Sequence, residues 1–288
     1  MSLWLTRIAR RLAALLATVI LGGILTAVLV RSSPGFDTDE RLLDPRLDRQ
    51  SRAAIQAEHA ADHDVVRFYA RYVGNMFRGD WGVSSSLKVP IRGLIGSRLP
   101  LTAELMAFGL AGAWGLATLL ALAAVRYSWW SHMGSLLSIV VLSVPSAALA
   151  VLIFASRGPV RAIIALILFP RLFDYLRNLL ADAYSRPHII TARAKGVGPF
   201  RILIGHVLPV CAPQFLALAG VSASMAFGAA IPVETLCDLP GVGQLAWKAA
   251  MARDLPLLVS LTMLITLLTQ ACNAVSDWAV VRRAGARS

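Results

Sequence analysis

Leu12-Ala13-Ala14-Leu15-Leu16-Ala17-Thr18-Val19-Ile20-Leu21-Gly22-Gly23-Ile24-Leu25-Thr26-Ala27-Val28-Leu29-Val30 is an apolar run with no charge in it. A bilayer hydrocarbon core about 30 Å thick takes roughly 20 such residues in a helix. The run is long for the apolar region of a signal peptide, and Val30-Arg31-Ser32-Ser33-Pro34 offers no small-x-small cleavage site, so it reads as an uncleaved anchor. Five further stretches have the same character, at 101–125, 133–155, 159–181, 212–232 and 255–281. The fourth span carries charges and the fifth is rich in Gly, Ser and Ala, which suits close helix packing in lipid. With 57% hydrophobic and 15% charged residues the chain is too evenly apolar for a soluble domain. The expected fold class is therefore all-α, a polytopic membrane protein with six transmembrane helices. The formal charge of +12 does not indicate nucleic acid, because the arginines flank apolar runs and form no basic stripe among stacking aromatics.

Short basic segments set the expected orientation. Arg7, Arg10 and Arg11 precede span one, Arg126 follows span two, and Arg186, Arg193, Lys195 and Arg201 follow span four. Arg282, Arg283 and Arg287 end the chain, and six spans place all four clusters on the cytoplasmic side together with both termini. The organisation read from this is an N-terminal transmembrane helix at 1–30, an extracytoplasmic insertion at 31–99, and a five-helix core at 100–288 with a cytoplasmic segment at 185–209. Within the insertion, 34–48 is turn-rich and charged. Residues 53–77 read as a helix anchored by Ile55, Val66, Tyr69, Val73, Met76 and Phe77 and stopped by Gly79, a small cap on the outer face. Arg78-Gly79-Asp80 reads as a plain turn.

The most informative segment is Pro187-His188-Ile189-Ile190-Thr191-Ala192-Arg193-Ala194-Lys195-Gly196-Val197-Gly198-Pro199-Phe200-Arg201-Ile202-Leu203-Ile204-Gly205-His206-Val207-Leu208-Pro209. Ser185 can cap a short helix that Pro187 starts, and Gly196 can end it in a left-handed conformation. Pro199 then starts a second helix, which Pro209 is expected to close. Ala192 and Ala194 keep the first helix slim while Arg193 and Lys195 charge its rim. The residues alone leave two readings equal: a helix that enters a groove on another protein, or an ordinary basic loop.

The segment resembles the cytoplasmic EAA-type coupling loop of ABC importer permeases, and Thr191-Ala192-Arg193-Ala194-Lys195-Gly196 is especially similar to the dipeptide, oligopeptide and nickel permease family, B-type subunit. Further matches follow in order. Phe77-Arg78-Gly79-Asp80-Trp81-Gly82-Val83-Ser84 resembles the family's RGDLG-S turn, and 95–105 with Arg98-Leu99-Pro100 its approach to span two. Ser143-Val144-Pro145-Ser146 is similar to the kink of span three. Val233-Glu234-Thr235-Leu236, Leu239-Pro240-Gly241-Val242-Gly243 and Arg253-Asp254-Leu255-Pro256 are similar to the outer loop before the last span. The resemblance implies a type I permease fold in the bacterial inner membrane, ATPase coupling through Thr191 to Gly196, and a complex with a second homologous permease, two cytoplasmic ATP-binding subunits and an extracytoplasmic solute-binding protein. One departure is the shortness of the link between spans three and four, nearly all of it Ser156-Arg157-Gly158.

Arg171, Asp174 and Asn178 share one face of span four and are the candidate translocation path, since ionisable groups at membrane depth usually face a cavity or a partner. The plainer reading pairs Arg171 with Asp174 and Asp174 with Arg177 near the helix end. Glu234, Asp238 and Asp254 could attract a cationic solute or simply cap turns. His59 and His63 stand i, i+4, a solvated face before a metal site, and Cys211, Cys237 and Cys272 form no CxxC pair, so no metal is expected. The chain has no P-loop and no nucleophile elbow, so no catalytic residue is assigned and ATP is expected only on partner subunits. The alternatives are an ATP-independent secondary transporter, for which no internal repeat is seen, and an intramembrane hydrolase, for which Asp174 lacks an acidic partner other than Asp182.

Overall fold

The computed structural model describes residues 2–32 and 65–285. Its elements are α1 (Ser2–Arg31), α2 (Val65–Phe77), α3 (Ile91–Arg126), α4 (Ser128–Ser143), α5 (Ser146–Ala155), α6 (Arg161–Ser185), α7 (Pro187–Ala194), α8 (Pro199–Ile202), a π-helical turn (Leu203–Val207), α9 (Leu208–Leu236), α10 (Val242–Met251) and α11 (Leu255–Gly285). No strand occurs among the described residues, only an isolated bridge between Val83 and Pro90. The turn-rich stretch at 34–48, the helical reading of 53–64 and the His59–His63 pair lie outside the described residues.

Among the described residues four segments are long and apolar enough to cross a bilayer: Ala13–Arg31, Ile91–Arg126, Pro199–Leu236 and Leu255–Trp278. The expected third span is not one kinked helix. Val144 is extended, Pro145 cannot donate to the preceding turn, and α4 and α5 meet at 95°. Counting that pair as one span gives five. The expected fourth span is α6, whose apolar run is interrupted by Arg171, Asp174 and Arg177, so length and composition alone do not make it a sixth.

The chain divides into two compact units. The first comprises Met1–Leu99 and Leu245–Leu268. Its core is built from Val19 and Ala27 of α1, Tyr69 and Tyr72 of α2, and Leu255, Val259 and Met263 of α11. Thr26 of α1 donates to Thr262 of α11 at 3.2 Å, a polar contact suited to helices meeting in lipid. Buried Asp254 caps the start of α11, accepting Leu257 N–H on Oδ1 at 3.2 Å. Its Oδ2 accepts Ser84 Oγ at 2.5 Å, Ser86 N–H at 2.9 Å and Ser86 Oγ at 2.7 Å, which pins the turn after α2 onto that helix end. Gly79 and Gly82, with φ of +89° and +70°, let the chain reverse there, and Asp80 accepts Gly82 N–H.

The second unit comprises Pro100–Gln244 and Thr269–Ser288, with α6 at its centre. One face of α6, from Ile163 and Ile164 through Leu168, Phe169, Leu172, Phe173 and Leu176 to Leu180, is fully buried. Against it α3 presents Gly109, Ala113, Ala117 and Ala121 at four-residue spacing, and a Cβ on Gly109 would strike Ile164. On α4, Gly134 gives way to the Phe173 ring. Small residues thus let the backbones approach a charged helix, which Arg161 also ties to Glu104 of α3 at 2.5 Å.

At the end of α9 the buried Glu234 carboxylate takes Thr102 Oγ1 at 2.7 Å, Gly243 N–H at 2.6 Å and Gln244 N–H at 3.2 Å, while Thr102 Oγ1 accepts Val242 N–H at 2.8 Å. The first amides of α10 therefore meet a negative charge, as their partial positive charge requires. A Cβ on Gly241 would run into that carboxylate, and one on Gly243 into the Ile231 backbone as well as the carboxylate. Glu234→Ala leaves the buried amides of Gly243 and Gln244 without this acceptor, and at roughly 1–3 kcal/mol for each such group the loss is about 2–6 kcal/mol. It is expected as a lowered thermal midpoint in detergent, with Glu234→Gln falling between the two. An unchanged midpoint for Glu234→Ala would contradict the clasp.

Candidate functional site

The segment between α6 and α9 forms the expected helical pair. Pro187 occupies the first turn of α7, where a missing N–H costs nothing. Ser185 does not cap it: Arg186 takes the cap position in an extended conformation, and Ser185 Oγ turns back to the Asp182 carbonyl. At the other end Val197 N–H reaches Ala192 O at 3.2 Å, Gly196 N–H reaches Arg193 O at 3.0 Å, and Gly196 has φ +77°. This is a complete Schellman closure, which a left-handed glycine allows.

The second helix is not closed at Pro209. It begins with Pro199, passes through the π-helical turn and continues as α9, so Pro199–Leu236 runs on as one apolar segment. In the wide turn Leu208 N–H bonds Leu203 O, five residues back, and this wider register accommodates the proline ring without ending the helix.

The six residues Thr191 to Gly196 divide by side. Ala192 is buried with Ile189 against Ala183, Ile202 and Val207, which anchors α7 to the second unit. Thr191, Arg193, Ala194, Lys195 and Gly196 are exposed. Beside them stand Ile190, Phe200 and Ile204, large apolar side chains 55%, 73% and 51% exposed. Arg193 lies 5.8 Å from the Tyr184 ring, and Arg186 pairs with Asp182 at 3.0 Å. The segment thus leaves both cations and large apolar side chains uncovered by its own chain, and surfaces that combine the two are common where proteins dock. The sequence reading found its charges and missed its apolar centre, although Ile190, Phe200 and Ile204 are conspicuous inside an otherwise basic loop.

Arg171 and Asn178 lie on the side of α6 opposite its buried face, with half-buried Asp174 and exposed Tyr175 between them. Asp174 meets Arg177 at 4.0 Å rather than Arg171. Arg177 also donates to Ser135 of α4, lies 5.6 Å from the Phe173 ring, and so is tied to the packed side of the helix. Of the two aspartates singled out with Glu234, Asp238 accepts Gln244 Nε2 at 2.7 Å in a left-handed turn, and Asp254 is the cap described above. Glu234 and Asp254 are occupied by their own chain, so the turn-capping reading describes them and a solute site does not. Burial pushes the Tyr72 phenol up to about 12; the Ser260 hydrogen bond lowers it, and Asp254 and Asp80 raise it further. It therefore remains a neutral donor to Trp81 O and Pro256 O at physiological pH. Among the described residues no three His, Cys, Asp or Glu side chains converge as metal ligands, and Cys211, Cys237 and Cys272 are free thiols.

Comparison with known proteins matches residues 113–282 to the family described as binding-protein-dependent transport system inner membrane component. A Brucella abortus (strain 2308) protein whose name describes a peptide transport system permease is 27% identical over 298 residues, covering 94% of this chain and 95% of its own. A probable peptide ABC transporter permease of Sinorhizobium fredii is 26% identical, covering 94% and 96%. The glutathione transport system permease of Salmonella paratyphi A is 25% identical, covering 95% of each. The matched region takes in the helical pair, the polar face of α6 and Glu234 with the start of α10, and with more than half of its length in that match this chain belongs to the inner membrane components of binding-protein-dependent transport systems.

Proposed function

We propose that this chain is one of two homologous permease subunits of an ATP-driven ABC importer for peptides or a related small solute such as nickel, in the B-type position of the dipeptide, oligopeptide and nickel group. The peptide assignment is supported by the names of relatives aligned nearly end to end, one of which names glutathione. Two cytoplasmic ATP-binding subunits supply the energy, and an extracytoplasmic solute-binding protein delivers the cargo. The chain crosses the membrane six times, with α6 as the fourth span, the α4–α5 pair as the third, and both termini cytoplasmic. Membership in a binding-protein-dependent family disfavours the ATP-independent secondary transporter.

The observation that carries the reading is the two-sided α7. Ile189 and Ala192 lock it to the core while Thr191, Arg193, Ala194, Lys195 and Gly196 face out beside Ile190, Phe200 and Ile204. A helix started by a proline, closed at Gly196 and anchored on one face moves as a rigid lever, so closure of the ATP-binding subunits on its outer face would rock the permease between inward-open and outward-open states. Solute would then pass the exposed face of α6 formed by Arg171, Asp174 and Asn178, which faces the second permease across the pore. Such a face is expensive in lipid and is expected to meet water or a partner.

Two experiments separate coupling from passage. Ala194→Glu changes only an exposed position, so the chain is expected to insert at the wild-type level while co-purification of the ATP-binding subunits falls about tenfold, equivalent to ~1.4 kcal/mol of docking energy. Equal recovery would show that α7 is not the docking helix. Asp174→Asn is expected to leave assembly intact and to reduce uptake severalfold in proteoliposomes. Unchanged uptake would remove α6 from the path.

A further inference from the structure

The sequence suggests a cap on the outer face for the segment between the first two spans, and the contacts of α2 run along α1 and α11 rather than over their ends. Tyr69 donates its hydroxyl to the Ile20 carbonyl of α1 at 2.8 Å and lies 3.7 Å from the Met263 sulfur of α11. Its ring fills the notch left by Gly23, where a Cβ would stand 2.8 Å from Cε2. At 1.5 Å per residue Gly23 is about 12 Å, and Ile20 about 16 Å, along α1 from Arg31, and Met263 is about 12 Å along α11 from Leu255. Two spans thus place the ring at the same depth, near the middle of a bilayer core about 30 Å thick. One turn later the Tyr72 hydroxyl is at the start of α11, on Pro256 O at 3.1 Å, Ser260 Oγ and Trp81 O at 2.9 Å. The helix therefore climbs from membrane depth at Tyr69 to the end of the spans at Phe77, and a phenol's reach is shorter than the depth it has to explain.

The side of α2 turned away from α1 and α11 carries Ala70, Arg71, Gly74 and Asn75, with Arg78 just beyond, all exposed. Among the described ion pairs neither arginine takes part. On the side of α1 away from Gly23, Leu21, Leu25 and Leu29 are 64%, 59% and 62% exposed, as the lipid-facing residues of a span are. We propose that α2 is embedded in the leaflet at the C-terminal end of α1, with small residues against the acyl chains and Arg71 and Arg78 extended to the phosphate groups of phospholipids. Long cationic side chains near a membrane interface place their stems in lipid and their charges in the headgroup layer. The inference needs α1 and α11 to span the membrane and does not depend on the proposed cargo or on which side is cytoplasmic.

A Cβ at Gly74 would meet nothing within 4 Å, so Gly74→Cys carries a fluorophore without disturbing the packing. The full chain labelled there, in nanodiscs of phosphatidylethanolamine and phosphatidylglycerol, is compared with labels at Leu29→Cys on the exposed side of α1 and Leu87→Cys on the turn after α2, each in a background lacking Cys272. Nitroxide-bearing lipids are expected to quench the Gly74 label severalfold more than the Leu87 label, and iodide in the aqueous phase to quench it less. Quenching by iodide as strong as at Leu87 would place the helix above the membrane and overturn the proposal. Protection from both quenchers would show a protein cover and overturn it equally. Should Gly74→Cys not insert, Asn75→Cys, also exposed, gives the same two outcomes, with lipid quenching at Leu29 as the positive control.

Discussion

Every polar backbone group that a membrane protein withdraws from water must find a partner inside the protein, and in this chain two buried carboxylates meet that demand at helix starts. Glu234 closes the first amides of α10 and Asp254 those of α11. Each also reaches across sequence, Glu234 to Thr102 and Asp254 to Ser84 and Ser86. The irregular connections are thus held by charge-assisted hydrogen bonds rather than by burial, and the glycines beside Glu234 leave room for the carboxylate. The helices can be long and lipid-facing because their ends are satisfied in this way.

The parts of the fold that depend on local composition were legible. Runs at 12–30, 101–125 and 255–281 became α1, α3 and α11, and Pro187, Gly196 and Pro199 bounded α7 and started α8 where their backbone chemistry requires. What depends on distant partners was not legible. Glu234 meets Thr102 132 positions away and Asp254 meets Ser84 170 positions away, and no local pattern shows such a pair. Pro209 was read as a stop because the rule assumes α-helical register, which the π-helical turn relaxes. Val144-Pro145 was read as a kink, whereas an extended residue before a proline breaks the helix outright. The packing of α2 along α1 and α11 is likewise not legible, because the Tyr69 contacts with Ile20 and Met263 join residues 49 and 194 positions apart.

The candidate site divides in the same manner. Charges on Arg193 and Lys195 and the slim alanines mark α7 in the sequence, but only packing distinguishes Ala192, an anchor, from Ala194, a surface residue. On α6 the face carrying Arg171, Asp174 and Asn178 was readable from helical spacing. The tie of Arg177 to Ser135 and Phe173, which leaves Arg171 on the open side, was not. A transporter needs both kinds of surface, a rigid one to receive force and a polar one that lipid does not cover, and in the function proposed above consecutive helices of a single unit, α7 and α6, would supply them.

The central claim is that α7 is the point where force enters the chain. The most direct measurement is site-specific cross-linking in the assembled transporter, with the exposed Lys195 replaced by cysteine and the ATP-binding subunits probed for the product with and without ATP. The account predicts a cross-link to an ATP-binding subunit whose yield changes when ATP closes the pair. An assembled complex with active ATPase and no cross-link from position 195, while a cysteine elsewhere on the same face of the chain does react, would contradict it.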